Sequence, residues 1–156
     1  MLILKRTNTF NKLLLLAVFF FVLNLHTTSV FAENTQETKT PQNPELQLHI
    51  DLVLKALQLD FYNVRCRGIS VAKNFNKVNR LYITKYSITA NNFIKQFIDS
   101  DVRAEKEKQE VEFKRNLNRL GGCSKAKQQG WIKEIHDQFG ELYQHAEQSA
   151  WFPEEN

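Results

Sequence analysis

The chain reads as an all-α protein: a small helical bundle of three long helices and one short one, stapled by one disulfide and following a cleaved signal peptide. Three observations predict this. Apolar residues recur at steps of three and four through most of residues 44–153, the period of one helix face. No stretch alternates with period two, and no Asn-Gly or Asp-Gly pair marks a hairpin. Residues 1–32 have the three-part layout of a secretory leader.

The leader opens on Lys5, Arg6 and Lys12, continues through an apolar core from Leu13 to Leu23, and ends on Val30-Phe31-Ala32, small residues at the positions a signal peptidase reads. Its apolar core is about half the roughly 20 residues a membrane-spanning helix needs. The residue directly after Ala32 is Glu33 and not cysteine, so the lipid-attachment pattern of bacterial lipoproteins is missing. The expected organisation is a signal peptide over 1–32, a disordered leader over 33–43, one helical domain over 44–153 and a tail over 154–156. The segment ENTQETKTPQN holds no large apolar residue and has nothing to bury.

The first long helix is expected to start at Asn43-Pro44-Glu45, where Asn43 suits the N-cap, Pro44 the first turn and Glu45 the positive end of the dipole. Leu46, Ile50, Val53, Leu57, Phe61 and Val64 form its apolar face, widened by Leu52, Leu59, Tyr62 and Cys66. Gly68 is a weak point, and the helix either continues to about Lys85 through Val71, Phe75, Val78 and Tyr82 or breaks and restarts. Ser87 or Thr89 caps a short helix carrying Phe93, Ile94, Phe97 and Ile98, and Asp99-Ser100-Asp101 separates it from the next. Residues 102–120 form a charged helix whose first half has a thin apolar side, ended by Gly121-Gly122. Ser124 is expected to cap the last helix, with Ile132, Ile135, Phe139, Leu142 and Ala146 facing inward and Trp151-Phe152-Pro153 closing the domain.

Cys66 and Cys123 are the two cysteines, and an even count in an exported chain predicts a disulfide between them. The pair lacks the Cys-x-x-Cys spacing of redox sites, and two thiols are too few for a structural zinc.

The net charge of +4 is mostly a property of the leader. Without it the chain has 18 basic against 17 acidic residues. Their distribution is uneven: residues 61–98 hold Arg65, Arg67, Lys73, Lys77, Arg80, Lys85 and Lys95 with no acidic residue, whereas 99–156 hold nine basic and twelve acidic ones. Two readings follow. The halves neutralise each other on packing, or the middle of the chain presents a basic face to an acidic partner. The candidate binding face comprises Arg65, Arg67, Lys73, Lys77, Arg80, Tyr82, Lys85, Asn91 and Asn92. Tyr82, Tyr86 and Arg80 are expected at its surface, and Phe61, Phe75 and Phe97 in the core.

Signs of catalysis are weak. There is no Gly-x-Ser-x-Gly, no glycine-rich phosphate loop and no His-Glu-x-x-His. Asp137, Glu141 and His145 share one helix face at i, i+4 and i+8, but the outer two stand about 12 Å apart along the axis, too far for one ion. They are weak metal candidates beside the simpler reading of a solvated polar face. His49 and His136 read as structural or surface histidines. Glu105, Glu107, Glu110 and Glu112 lie among lysines and read as salt-bridged helix surface.

The expectation is an exported, non-catalytic binding protein, periplasmic or extracellular, without a cofactor or a membrane anchor after cleavage. It would contact an acidic protein or envelope component rather than nucleic acid. The layout of leader, small helical domain and single staple resembles small periplasmic proteins that inhibit secreted toxins, which implies a toxin-neutralising role as one alternative. A small hydrolase using Glu and His of the last two helices and a structural or assembly subunit are the others. Mass spectrometry of the protein recovered from its native compartment is expected to place the first residue at Glu33; a retained leader would overturn the export assignment.

Overall fold

In the computed structural model, residues 43–151 are described, and they form six helices with no strand among them. These are α1 (Pro44–Arg67), α2 (Lys73–Tyr86), α3 (Ala90–Phe97), α4 (Val102–Arg119), α5 (Cys123–Gln128) and α6 (Trp131–Gln148). The expected leader, residues 33–42 and the tail lie outside the described residues. The all-helical class stands; the count of three long helices and one short one does not.

Two glycines account for the difference. At Gly68 the backbone adopts φ 66°, and the Ile69 N–H bonds back to the Asn63 carbonyl at 3.0 Å. This left-handed turn closes α1, so the continuous helix to Lys85 is replaced by a break and a restart at Lys73. At Gly130 φ is 79°, which divides the expected last helix into α5 and α6. Ser124 therefore lies inside α5 rather than capping the last helix. Elsewhere the expected punctuation stands: the Asn43 side chain accepts from Glu45 N–H at 2.9 Å, Thr89 from Asn92 N–H at 3.0 Å, and Gly121-Gly122 follows α4.

α1 is the central element, touching α2, α3, α4 and α6. Its buried strip of His49, Leu52, Val53, Ala56, Leu57, Leu59 and Asp60 meets Phe75, Val78 and Tyr82 of α2, Phe93 and Ile94 of α3, and Ile135, Phe139 and Ala146 of α6. A second cluster, built on Phe113, Leu117 and Ala126, surrounds Cys66 and Cys123. Val64, expected on the core face, is 52 % exposed because it opens onto a shallow groove where α4 presents Glu110 and Lys114. Val71 is 61 % exposed in the connection after Gly68. The first half of α4, for all its thin apolar side, carries a buried carboxylate. Glu105 is buried, accepting from Lys108 Nζ at 3.0 Å and Gln109 Nε2 at 2.7 Å.

The start of α2 is set from outside. Ala72, at its N-cap, has no side-chain acceptor. Asp60 of α1 supplies one: Oδ1 accepts from the Asn74 backbone N–H at 3.0 Å and from Asn74 Nδ2 at 2.8 Å, and Oδ2 accepts from Phe75 N–H at 2.8 Å. The N-terminus of a helix has free N–H groups and positive potential, so a carboxylate there is favoured on both counts. Asp60 is only 5 % exposed, and these bonds offset the cost of burying its charge.

Cys66 and Cys123 are bonded, with an S–S distance of 2.05 Å, across 57 sequence positions. The bond ties the last turn of α1 to the first residue of α5. A cross-link spanning that many residues contributes about 4 kcal/mol by restricting the unfolded chain. Urea denaturation with and without reductant is expected to differ by that order; equal midpoints would contradict it. Asp60→Ala leaves buried N–H groups without an acceptor and is expected to cost about 2–3 kcal/mol in the same assay.

Candidate functional site

Once Asp60 fixes where α2 begins, helix geometry distributes its side chains. Phe75, Val78, Leu81, Tyr82 and Tyr86 turn inward. Lys73, Lys77 and Arg80, at i, i+4 and i+7, share the outward face, and all three are exposed. Together with Asn76, Val71 and Tyr143 of α6 they line a concavity of about 500 Å³ that contains no acidic residue. A second hollow of about 210 Å³ shares Lys73 with it and adds Arg67, Asn63 and Asn74. Arg67, Lys73, Lys77 and Arg80 thus border two adjoining depressions.

Local contacts order this surface without neutralising it. Lys77 Nζ lies 3.8 Å from the centroid of the Tyr143 ring, a cation–π arrangement that leaves the ammonium in solvent. Partial burial raises the Tyr143 phenol pKa, with Glu147 adding to the effect and Arg80 opposing it. Arg67 donates to Asn63 Oδ1 at 3.2 Å. The four ion pairs among the described residues are Arg103–Glu107, Lys108–Glu105, Lys114–Glu110 and Lys133–Asp137, each within α4 or α6. None joins the basic middle of the chain to the acidic end. Among the described residues, opposite charges of the two halves meet only as neighbours, as where Arg65 and Glu110 line one groove.

The other members of the predicted face are scattered. Tyr82 is a correction: it is fully buried, one turn beyond Val78 on the inward stripe, with its hydroxyl donating to the His49 carbonyl at 3.2 Å. Tyr86, also expected at the surface, is buried in the same stripe. Lys85 is half-buried and donates to the Ala146 and Glu147 carbonyls at 2.9 and 2.7 Å, capping the end of α6. Asn91 accepts from Lys106 Nζ at 2.7 Å, and Asn92 is exposed on α3. Arg65 is exposed beside the α1–α4 groove.

The weak metal candidates separate. Asp137 pairs with Lys133. Glu141 and His145 line a groove of about 520 Å³ between α1 and α6, facing Asp51 and Lys55. Among the described residues no three His, Cys, Asp or Glu side chains are arranged to hold a metal ion. The glutamates of α4 do not line this groove, so it does not unite the Glu and His of the last two helices.

Sequence reading missed Asp60 and left His49 as a structural or surface histidine, of which its complete burial selects the structural one. The available signal was a charged and an ionisable residue set among Leu52, Val53, Ala56 and Leu59 on an otherwise apolar strip. Compared with protein families, curated proteins and solved structures, the chain matches none.

Proposed function

We propose that this chain is an exported, non-catalytic helical binding protein, periplasmic or extracellular, that engages an acidic protein partner through Arg67, Lys73, Lys77 and Arg80. The observation that carries this reading is the row of exposed cations bordering two adjoining hollows with no carboxylate paired to them. Exposed like charges repel one another and give little to folding, so a cluster of them fits recognition better than stability. Val71, largely exposed within the same concavity, supplies an apolar contact that a purely solvating surface would not need.

Export is supported by the leader pattern and by the Cys66–Cys123 pair at bonding distance. A binding role without catalysis rests on the open, polar character of the α1–α6 groove, where Glu141 and His145 face a lysine and no candidate nucleophile.

Affinity capture from the native envelope or secretome tests the proposal. Partner recovery is expected to fall steeply between low and high salt, because contacts between exposed charges are screened beyond about 10 Å at 0.1 M ionic strength. Lys77→Glu together with Arg80→Glu is expected to weaken capture about tenfold or more at low salt, with helicity unchanged. Capture that is indifferent to salt and to both reversals would remove the charge-led interface.

A further inference from the structure

His49 has an environment that neither packing nor the basic surface explains. The imidazole is fully buried among Tyr82 and Tyr86 of α2, Phe93 of α3 and Trp151 beyond α6, with ring centroids 4.8–6.1 Å away. The Tyr82 hydroxyl lies 3.2 Å from the His49 carbonyl and 3.1 Å from Nδ1; the carbonyl can only accept, so we assign the hydroxyl proton to it and the ring proton to Nδ1. Nε2 is then a bare lone pair, buried and without a hydrogen-bond partner. A neutral ring tolerates that arrangement. A protonated ring has an extra N–H with no acceptor and a charge with no solvent.

The walls of this chamber are unequal. Tyr82 and Phe93 are held by helices packed on α1. Trp151 lies outside any helix, half-buried, its ring tilted 30° over the imidazole. It is tethered through its own N–H to Ser149 Oγ at 3.0 Å, and Ser149 Oγ in turn donates to Glu45 Oε2 at 2.9 Å. It is the wall that leaves most cheaply.

We propose that residues 149–151 form a strap that acid releases: protonation of His49 drives Trp151 off the imidazole, hydrating the ring and baring an aromatic patch. The charged and titratable groups facing the ring are consistent with this. Glu45 of α1 favours the protonated form, while Lys85 of α2 and His145 of α6 disfavour it, and burial outweighs all three. The closed form holds the His49 pKa at about 4, against 6.5 for a solvated imidazole. Between those values the open form takes up the proton and the closed form does not. Strap closure is therefore most favoured above 6.5 and weakens as pH falls toward 4.

The test uses Trp131→Phe, which leaves Trp151 as the sole tryptophan. Acrylamide quenching of its fluorescence is expected to increase with a midpoint between pH 4 and 6.5 while far-UV circular dichroism is unchanged. His49→Phe in the same background is expected to abolish the step. Trp151 exposure that coincides with loss of helicity, that is absent above pH 4, or that persists in His49→Phe overturns the proposal. If His49→Phe does not fold, the imidazole is titrated by NMR in the unsubstituted protein: titration in step with Trp151 exposure supports the strap, and titration without it refutes it.

Discussion

A carboxylate buried between two helices sets most of what this fold presents. Asp60 gives two oxygens to three N–H donors at the first turn of α2, fixing both where that helix begins and how it is rotated against α1. Rotation about a helix axis by one residue, 100°, would carry Tyr82 out of the core and Lys77 into it. The contact therefore separates the two chemistries of α2: aromatic side chains inward, cations outward. A neutral cap would bond the same N–H groups but would respond less to the positive potential at the helix terminus.

The charges fall into two kinds. On α4 and α6, acidic and basic residues pair within one helix at i, i+3 or i, i+4, contacts that shape a local surface and, where exposed, add little to stability. On α2, Lys73, Lys77 and Arg80 face solvent, and Lys77 is positioned by the face of Tyr143 instead of by a carboxylate. Part of the uneven charge along the chain is thus kept in space, because Glu105, Glu107, Glu110 and Asp137 are engaged with neighbours on their own helices.

The helical class, the inward faces of α3 and α6, the Asn43 and Thr89 caps and the cysteine pairing were all legible in sequence, because each rests on local periodicity or on counting. The breaks at Gly68 and Gly130 were harder to place: a glycine in a periodic run is compatible with continuation, and only the tertiary contacts decide whether it turns left-handed. The cationic face was half legible. Spacing puts Lys73, Lys77 and Arg80 on one side, but whether Tyr82 and Lys85 belong with them depends on what covers them. Tyr82 meets His49 across 33 positions and Lys85 meets α6 across 61, separations that no local pattern reports. Asp60 looked like an ordinary polar residue because its partners lie beyond a turn.

The placement of the disulfide gives α1 two dissimilar poles. Cys66 binds the C-terminal end covalently, whereas His49, 17 residues earlier and about 25 Å away along the axis, lies at an end held only by packing and hydrogen bonds. Both exits of the described chain are at that second pole, where Glu45 and Ser149 touch. Linking those exits through a short connector and opening the chain elsewhere would preserve every helix contact described here. The architecture is in that sense permutable, and cargo fused at this pole would hang from the end of the bundle remote from the covalent cross-link.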